Sequence, residues 1–161
     1  MASSQSGDER RRARLAELIA RPFAHRGLHG PGIPENSLAA FAAAIAAGHG
    51  IELDVQASAD GEAMVFHDAG LDRLTEAGGP VATLSAAELG RIRLSRSAET
   101  IPTLGEALAL VAGRVGLLVE VKAPGRAVGA IGRATARALA GYDGPVAAMS
   151  FNPEVGHRFA R

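Results

Sequence analysis

Ile51-Glu52-Leu53-Asp54-Val55 is the stretch that most constrains what this chain can fold into. Successive side chains of a β-strand point to opposite faces. Glu52 and Asp54 therefore share one side, and Ile51, Leu53 and Val55 share the other. Branched apolar residues on one face demand a core beneath the strand. Two neighbouring carboxylates on the other face repel unless something positive sits between them. A hard divalent cation, which takes oxygen ligands, is the usual solution. A solvated strand edge is the competing reading, and the flanking apolar residues weigh against it.

The surrounding pattern is β-α-β. After a loose tail, Met1 to Gly7, the stretch Asp8 to Ala20 reads as a helix with Leu15, Leu18 and Ile19 on one face and arginines on the other. Pro22 ends it and opens a strand, Phe23 to His25. Asn36 or Ser37 caps a helix reaching about Ala47, with Leu38, Phe41 and Ile45 inward and Gly48 as the stop. Asn36 is most simply that cap, and Glu35 a support for Arg26. The acidic strand then runs from Ile51 to about Ala57, parallel to the first.

Asp60-Gly61 next marks a tight turn, and Met64-Val65-Phe66 follows too soon for a parallel crossover. Ala63 to His67 is therefore expected to fold back antiparallel. It opens an excursion that passes Gly78-Gly79-Pro80 and contains a capping box, Ser85 to Glu88, starting a short helix to about Ile92. Arg93 to Thr100 reads as loop. A helix from Leu104 to Ala112, a buried strand from Gly116 to Lys122, a helix from about Ala127 to Ala140 and a strand from Val146 to Ser150 complete an α/β pattern.

Length and charge bound the function. The 161 residues suffice for one domain with a real core. Lys plus Arg and Asp plus Glu each total 17, so charge gives no reason to expect a nucleic-acid partner. There is no cysteine, which excludes disulfides, thiolate nucleophiles and zinc-thiolate sites. No run approaches the ~18 apolar residues that span a bilayer, and no apolar signal-peptide core precedes Arg10-Arg11-Arg12. A cytoplasmic protein is the default expectation.

In parallel β/α architectures, sites form at the carboxyl ends of the strands. The unusual charged groups fall there: His25 and Arg26 after the first strand, Glu52 and Asp54 on the second, Glu120 and Lys122 at the end of the third. His67-Asp68 lies at the tip of the excursion, which can fold over the same mouth. These parts suit a phosphodiester. A metal on Glu52, Asp54 and Glu120 neutralises phosphate oxygens. Arg26 grips phosphate with a planar fork, and Lys122 adds a point charge. His25 and His67 can remove one proton and deliver another. Glu120 with Lys122 also reads as an internal ion pair. His29, His49 and His157 have no comparable context and are left as loop or surface residues.

His25-Arg26-Gly27, Pro34-Glu35-Asn36-Ser37, Ile51 to Val55, Asp60-Gly61, Val65-Phe66-His67-Asp68, Ile101-Pro102-Thr103-Leu104, Val119-Glu120-Val121-Lys122 and Ser150-Phe151 follow one another in an order that resembles the glycerophosphodiester phosphodiesterase family. The family's threonine after Glu-Asn is serine here. The resemblance implies a (β/α)8 TIM-barrel type, truncated to about its first half, with a small hairpin and helix insertion after the second strand. It assigns residues 1–20 to an N-terminal tail and helix, and 21–161 to a partial catalytic domain. It also implies Glu52, Asp54 and Glu120 as ligands of one Mg²⁺ or Ca²⁺, His25 and His67 as the acid/base pair, and Arg26 and Lys122 as phosphate contacts.

The implied reaction cleaves a glycerophosphodiester to glycerol 3-phosphate and an alcohol, with a glycerol hydroxyl attacking phosphorus to give a cyclic phosphate. A complete barrel needs about 250 residues and eight strands. The unclosed sheet of this chain leaves an edge and an apolar face open to self-association. The alternatives are a non-catalytic half-barrel that binds metal or phosphodiester, and a related lipid phosphodiesterase such as a phospholipase D-like toxin. The absent signal peptide and cysteines count against the toxin.

Overall fold

The computed structural model describes residue 9, residues 12–123 and residues 128–159, without the side chains of 157–159. The expected tail, Arg10, Arg11, the helix start at Ala127 and the His157 side chain lie outside the described residues. Helix α1 covers residues 12–18. Then come β1 (Phe23–His25), α2 (Leu38–Ala46), β2 (Gly50–Ala57), β3 (Ala63–Val65), α3 (Ala86–Leu89), α4 (Leu104–Val111), β4 (Leu117–Val121), α5 (Val128–Leu139), β5 (Val146–Met149) and α6 (Pro153–Phe159).

Strands β1, β2, β4 and β5 lie side by side in that order and run parallel. Their register sorts the side chains. Ile51, Leu53 and Val55 sit beside Leu117, Val119 and Val121. All six are buried in one core with Phe41, Leu104, Val111, Val128 and Ile131 from α2, α4 and α5. Each such apolar side chain contributes roughly 1.5–3 kcal/mol by leaving water. The opposite face carries the polar set, because Asp54 pairs with Glu120 and His25 with Glu52.

Strand β3 folds back antiparallel on β2, with Val55 opposite Val65. Val55 also pairs with Val121 of β4, so β3 takes the side of β2 that β1 vacates after His25. Alternation along this short strand divides its loyalties. Ala63 and Val65 face the main core. Met64 and Phe66 face a second cluster with Leu71, Val81, Leu89, Leu94 and Ile101. The excursion thus has a small core of its own and shares β3 with the sheet.

Several expectations are corrected. Helix α1 buries only Leu18; Leu15 is 55% and Ile19 65% exposed, since only the end of the helix meets the sheet, with Leu18 packed on Gly116. The α3 capping box forms as expected, but the helix stops at Leu89 with Gly90 as its cap, short of Ile92. Residues 93–100 form neither helix nor strand, as expected of a loop, yet they pin Leu94 into the second core, with Arg93 bridged to Thr100. Helix α6 is an addition to the expected pattern, and Asn152 before Pro153 is its start signal, with Oδ1 accepting from Glu154 N at 3.1 Å.

The chain leaves β1 through two left-handed residues, Arg26 (φ 57°) and Gly27 (φ 80°). A Cβ on Gly27 would stand 2.8 Å from Ala40 Cβ and 2.9 Å from Phe41 Cδ1. Glycine alone lets this turn lie against the start of α2. Gly27→Ala combines a left-handed penalty with overpacking, and is expected to cost ~2–4 kcal/mol, read as a lower midpoint in urea unfolding.

Candidate active site

The polar face of β2 and β4 assembles the site from backbone register upward. Asp54 and Glu120 are lateral neighbours, and Glu52 lies one side-chain repeat back on β2. One carboxylate oxygen from each of the three lies within 4.8 Å of the others, and all three residues are buried. This is the convergence the sequence predicts.

The left-handed turn after β1 delivers the next groups. Arg26 N donates to Glu52 Oε2 at 2.9 Å. Its guanidinium donates from Nη1 to Glu35 Oε1 at 2.8 Å, while Nε lies 3.3 Å from Asp54 Oδ2. Glu35 therefore does support Arg26. Asn36 is not the helix cap; Ser37 is, accepting from Ala40 N. Asn36, itself left-handed at φ 55°, turns its amide onto Asp54. Its Nδ2 donates to Asp54 Oδ2 at 2.9 Å and its Oδ1 accepts from Asp54 N at 3.2 Å. Lys122 Nζ reaches Glu120 Oε1 at 2.5 Å and Asp54 Oδ1 at 3.0 Å. Glu120 and Lys122 thus form the ion pair of the alternative reading.

The two histidines are placed differently. His25 Nε2 lies 3.9 Å from Glu52 Oε2, on a side chain 68% exposed at the mouth of the site. The His67 ring instead faces Asp68, with Nδ1 2.5 Å from Oδ1. Its backbone carbonyl accepts from Gln56 Nε2 at 2.9 Å. Gln56 is buried, shares the face of Glu52 and Asp54, and with Glu120, Lys122, Ser150 and Phe151 lines an open pocket of about 250 Å³. Larger hollows lie beside residues 92–98 and between α4 and α5, and neither includes any of the three clustered carboxylates.

Electrostatics show what the cluster lacks. Burial pushes the Glu52 carboxyl above the usual carboxylate range; the Arg26 N–H opposes this, and the Asp54 charge adds to it. Burial pulls Lys122 down, but its contacts with Glu120 and Asp54 outweigh that and raise it. Five carboxylates (Glu35, Glu52, Asp54, Asp68 and Glu120) face three cations, Arg26, Arg73 and Lys122. With neutral histidines, two negative charges remain uncompensated. Asp54 Oδ1 is buried and receives no well-directed hydrogen bond despite the nearby ammonium. An all-oxygen donor set and a residual double negative charge on buried carboxylates fit a hard divalent cation.

The Glycerophosphoryl diester phosphodiesterase family profile matches residues 25–133. A glycerophosphodiester phosphodiesterase from Bacillus altitudinis is 42% identical over 107 residues, covering 62% of this chain and 43% of that protein. Among solved structures, an Oleispira antarctica phosphodiesterase in complex with the product sn-glycerol-3-phosphate superposes with a TM-score of 0.78 at 31% identity, over 86% of this chain and 60% of that one. A glycerophosphodiester phosphodiesterase from Agrobacterium tumefaciens gives 0.72 at 30% identity, over 85% and 60%. The chain spans less than half of the Bacillus relative, and its fold is a truncated barrel of that α/β type.

A group whose pKa is higher folded than unfolded supports folding at low pH and withdraws that support as pH rises through the folded value. Glu52 is such a group. Glu52→Gln keeps an acceptor for Arg26 N without the charge. Without added metal, it is expected to melt above wild type near neutral pH, with the gap closing below about pH 4. Added Mg²⁺ or Ca²⁺ should raise the wild-type Tm more than the variant's.

Proposed function

From the premise that this chain belongs to the glycerophosphoryl diester phosphodiesterase family, we propose that it supplies the catalytic site for metal-dependent cleavage of glycerophosphodiesters to glycerol 3-phosphate and an alcohol. The observation that carries this reading is the convergence of Glu52, Asp54 and Glu120 with Arg26 and Lys122 on one face of the sheet. The product bound to the Oleispira relative supports the same substrate class.

Glu52, Asp54 and Glu120 would hold one Mg²⁺ or Ca²⁺. When bound, the ion neutralises phosphate oxygens and makes phosphorus a better electrophile. Arg26 and Lys122 add positive charge for the phosphate, Arg26 as a fixed fork and Lys122 from a flexible stem. The substrate brings its own nucleophile, a glycerol hydroxyl, which gains from proximity over free water. Of His25 and His67, one takes the proton of that hydroxyl as it attacks phosphorus, and the other protonates the departing alcohol. Water then opens the resulting cyclic phosphate to glycerol 3-phosphate. Gln56 and Asn36 hold the supporting shell, through the His67 carbonyl and the Asp54 carboxylate.

Release of glycerol 3-phosphate from glycerophosphocholine is expected with Mg²⁺ or Ca²⁺ and is lost on chelation. His25→Ala and Glu52→Ala should each be slower by ~10²-fold or more. Equal activity in wild type and both variants eliminates the site. Metal-induced thermal stabilisation without product would replace the enzyme with a binding module.

A further inference from the structure

We propose that Asp68 and Arg73 are positioning residues that hold His67 in a single tautomer, with the proton on Nδ1 and the lone pair on Nε2. The observation is a chain of ion pairs that the reaction itself does not require. Asp68 Oδ1 meets His67 Nδ1 at 2.5 Å, and Asp68 Oδ2 accepts from Arg73 Nε at 2.5 Å. Arg73 then forks onto Glu35, Nη2 to Oε1 at 2.7 Å and Nη1 to Oε2 at 3.2 Å. Glu35 Oε1 also takes Arg26 Nη1, so the chain ends on the arginine beside Asp54.

Each link has one job. An ionised carboxylate only accepts hydrogen bonds, so Asp68 requires the neutral imidazole to carry its proton on Nδ1. The Arg73 hydrogen bond holds the Asp68 carboxyl below the usual range, and burial works against it. Glu35 is pulled up by burial and further down by Arg73 and Arg26. Both acids are thus kept ionised by the arginine between them. Arg73 sits on the excursion and Glu35 on the turn after β1, 38 residues apart. The clamp fixes the excursion at the point where it presents His67.

The role of His67 in proton transfer rests on the function proposed above; its tautomer does not. The Asp68→Asn change separates the two. Arg73 Nε still needs an acceptor, so the amide must turn its oxygen to Arg73 and its NH₂ to His67 Nδ1. That forces the lone pair onto Nδ1 and the proton onto Nε2. In Asp68→Asn with Arg73→Met the amide is free to turn back. Asp68 and Arg73 are partly exposed, with side chains 26% and 46% accessible, so these variants are expected to fold.

The test reads the ring directly, by ¹⁵N–¹H correlation of the His67 imidazole at about pH 8, where an ordinary histidine is neutral. The wild type should show the Nδ1–H form, Asp68→Asn the Nε2–H form, and the double variant a return toward the first. An Nε2–H ring in the wild type, or no change in Asp68→Asn, overturns the proposal. Where turnover is measured and His67 is the base of the pair, Asp68→Asn should lower kcat by up to about 10⁴-fold with little change in KM, since a histidine base in the wrong tautomer cannot act. The double variant should recover part of that loss. A tautomer switch that leaves kcat untouched keeps the clamp and removes His67 as the base of the proposed pair.

Discussion

The site depends on a strand register that forces mutually repelling carboxylates together. Asp54 and Glu120 are lateral partners in a parallel ladder, and Glu52 is held beside them by the same strand. Nothing in the backbone can relieve this without shifting β2 against β4. A one-residue shift would carry Ile51, Leu53 and Val55 out of the core and onto the polar face. The apolar face thus pins the register that crowds the charges. Lys122, Arg26 and the Asn36 amide offset part of this repulsion, all three by contacts with Asp54.

The same logic explains where the backbone is uncomfortable. Arg26 and Asn36 are two of the non-glycine residues with positive φ among the described residues, and both point polar groups at Asp54. A non-glycine residue in the left-handed region costs on the order of 1–2 kcal/mol, and asparagine tolerates it better than most. Such conformations persist where surrounding contacts over-determine them. Here the Asn36 N–H donates to the Arg26 carbonyl at 2.9 Å, and the Leu28 N–H to the Ala40 carbonyl at 3.0 Å, closing the loop on both sides.

What could be read from the sequence was what local periodicity encodes. The parity of Glu52 and Asp54, the Asp60-Gly61 reversal and the strand limits of β1 all follow from spacing within a few residues. Gln56 obeys the same parity, lies on the polar face and donates to the His67 carbonyl, a role that parity alone does not reveal. What failed was long-range. Asn36 looked like a cap because the sequence cannot show that Asp54, 18 positions on, competes for its amide. Helix α2 has no acid in its own first turn, and instead Glu99 Oε2 accepts from Ala39 N across 60 positions. Arg73 carried no local signal, since its partners Glu35 and Asp68 lie in different segments. The α1 error was of another kind: a helical stripe says which residues could be buried, and only contact decides that Leu18 alone is.

The excursion is therefore part of the site's frame. Phe66 N donates to the Asp54 carbonyl at 3.0 Å, so the residue before His67 is tied by backbone to a strand residue that bears a clustered carboxylate. On its other flank, Val65 N donates to the Pro102 carbonyl at 2.7 Å, at the entry to α4. Met64 and Phe66 then anchor in the second core, whose collapse would release them. The position of His67 relative to Asp54 thus follows from ladder geometry and from packing in the excursion, while the orientation of its ring is left to Asp68. Placement and orientation are set by different interactions, the first by the ladder and the second core, the second by the carboxylate that follows the ring.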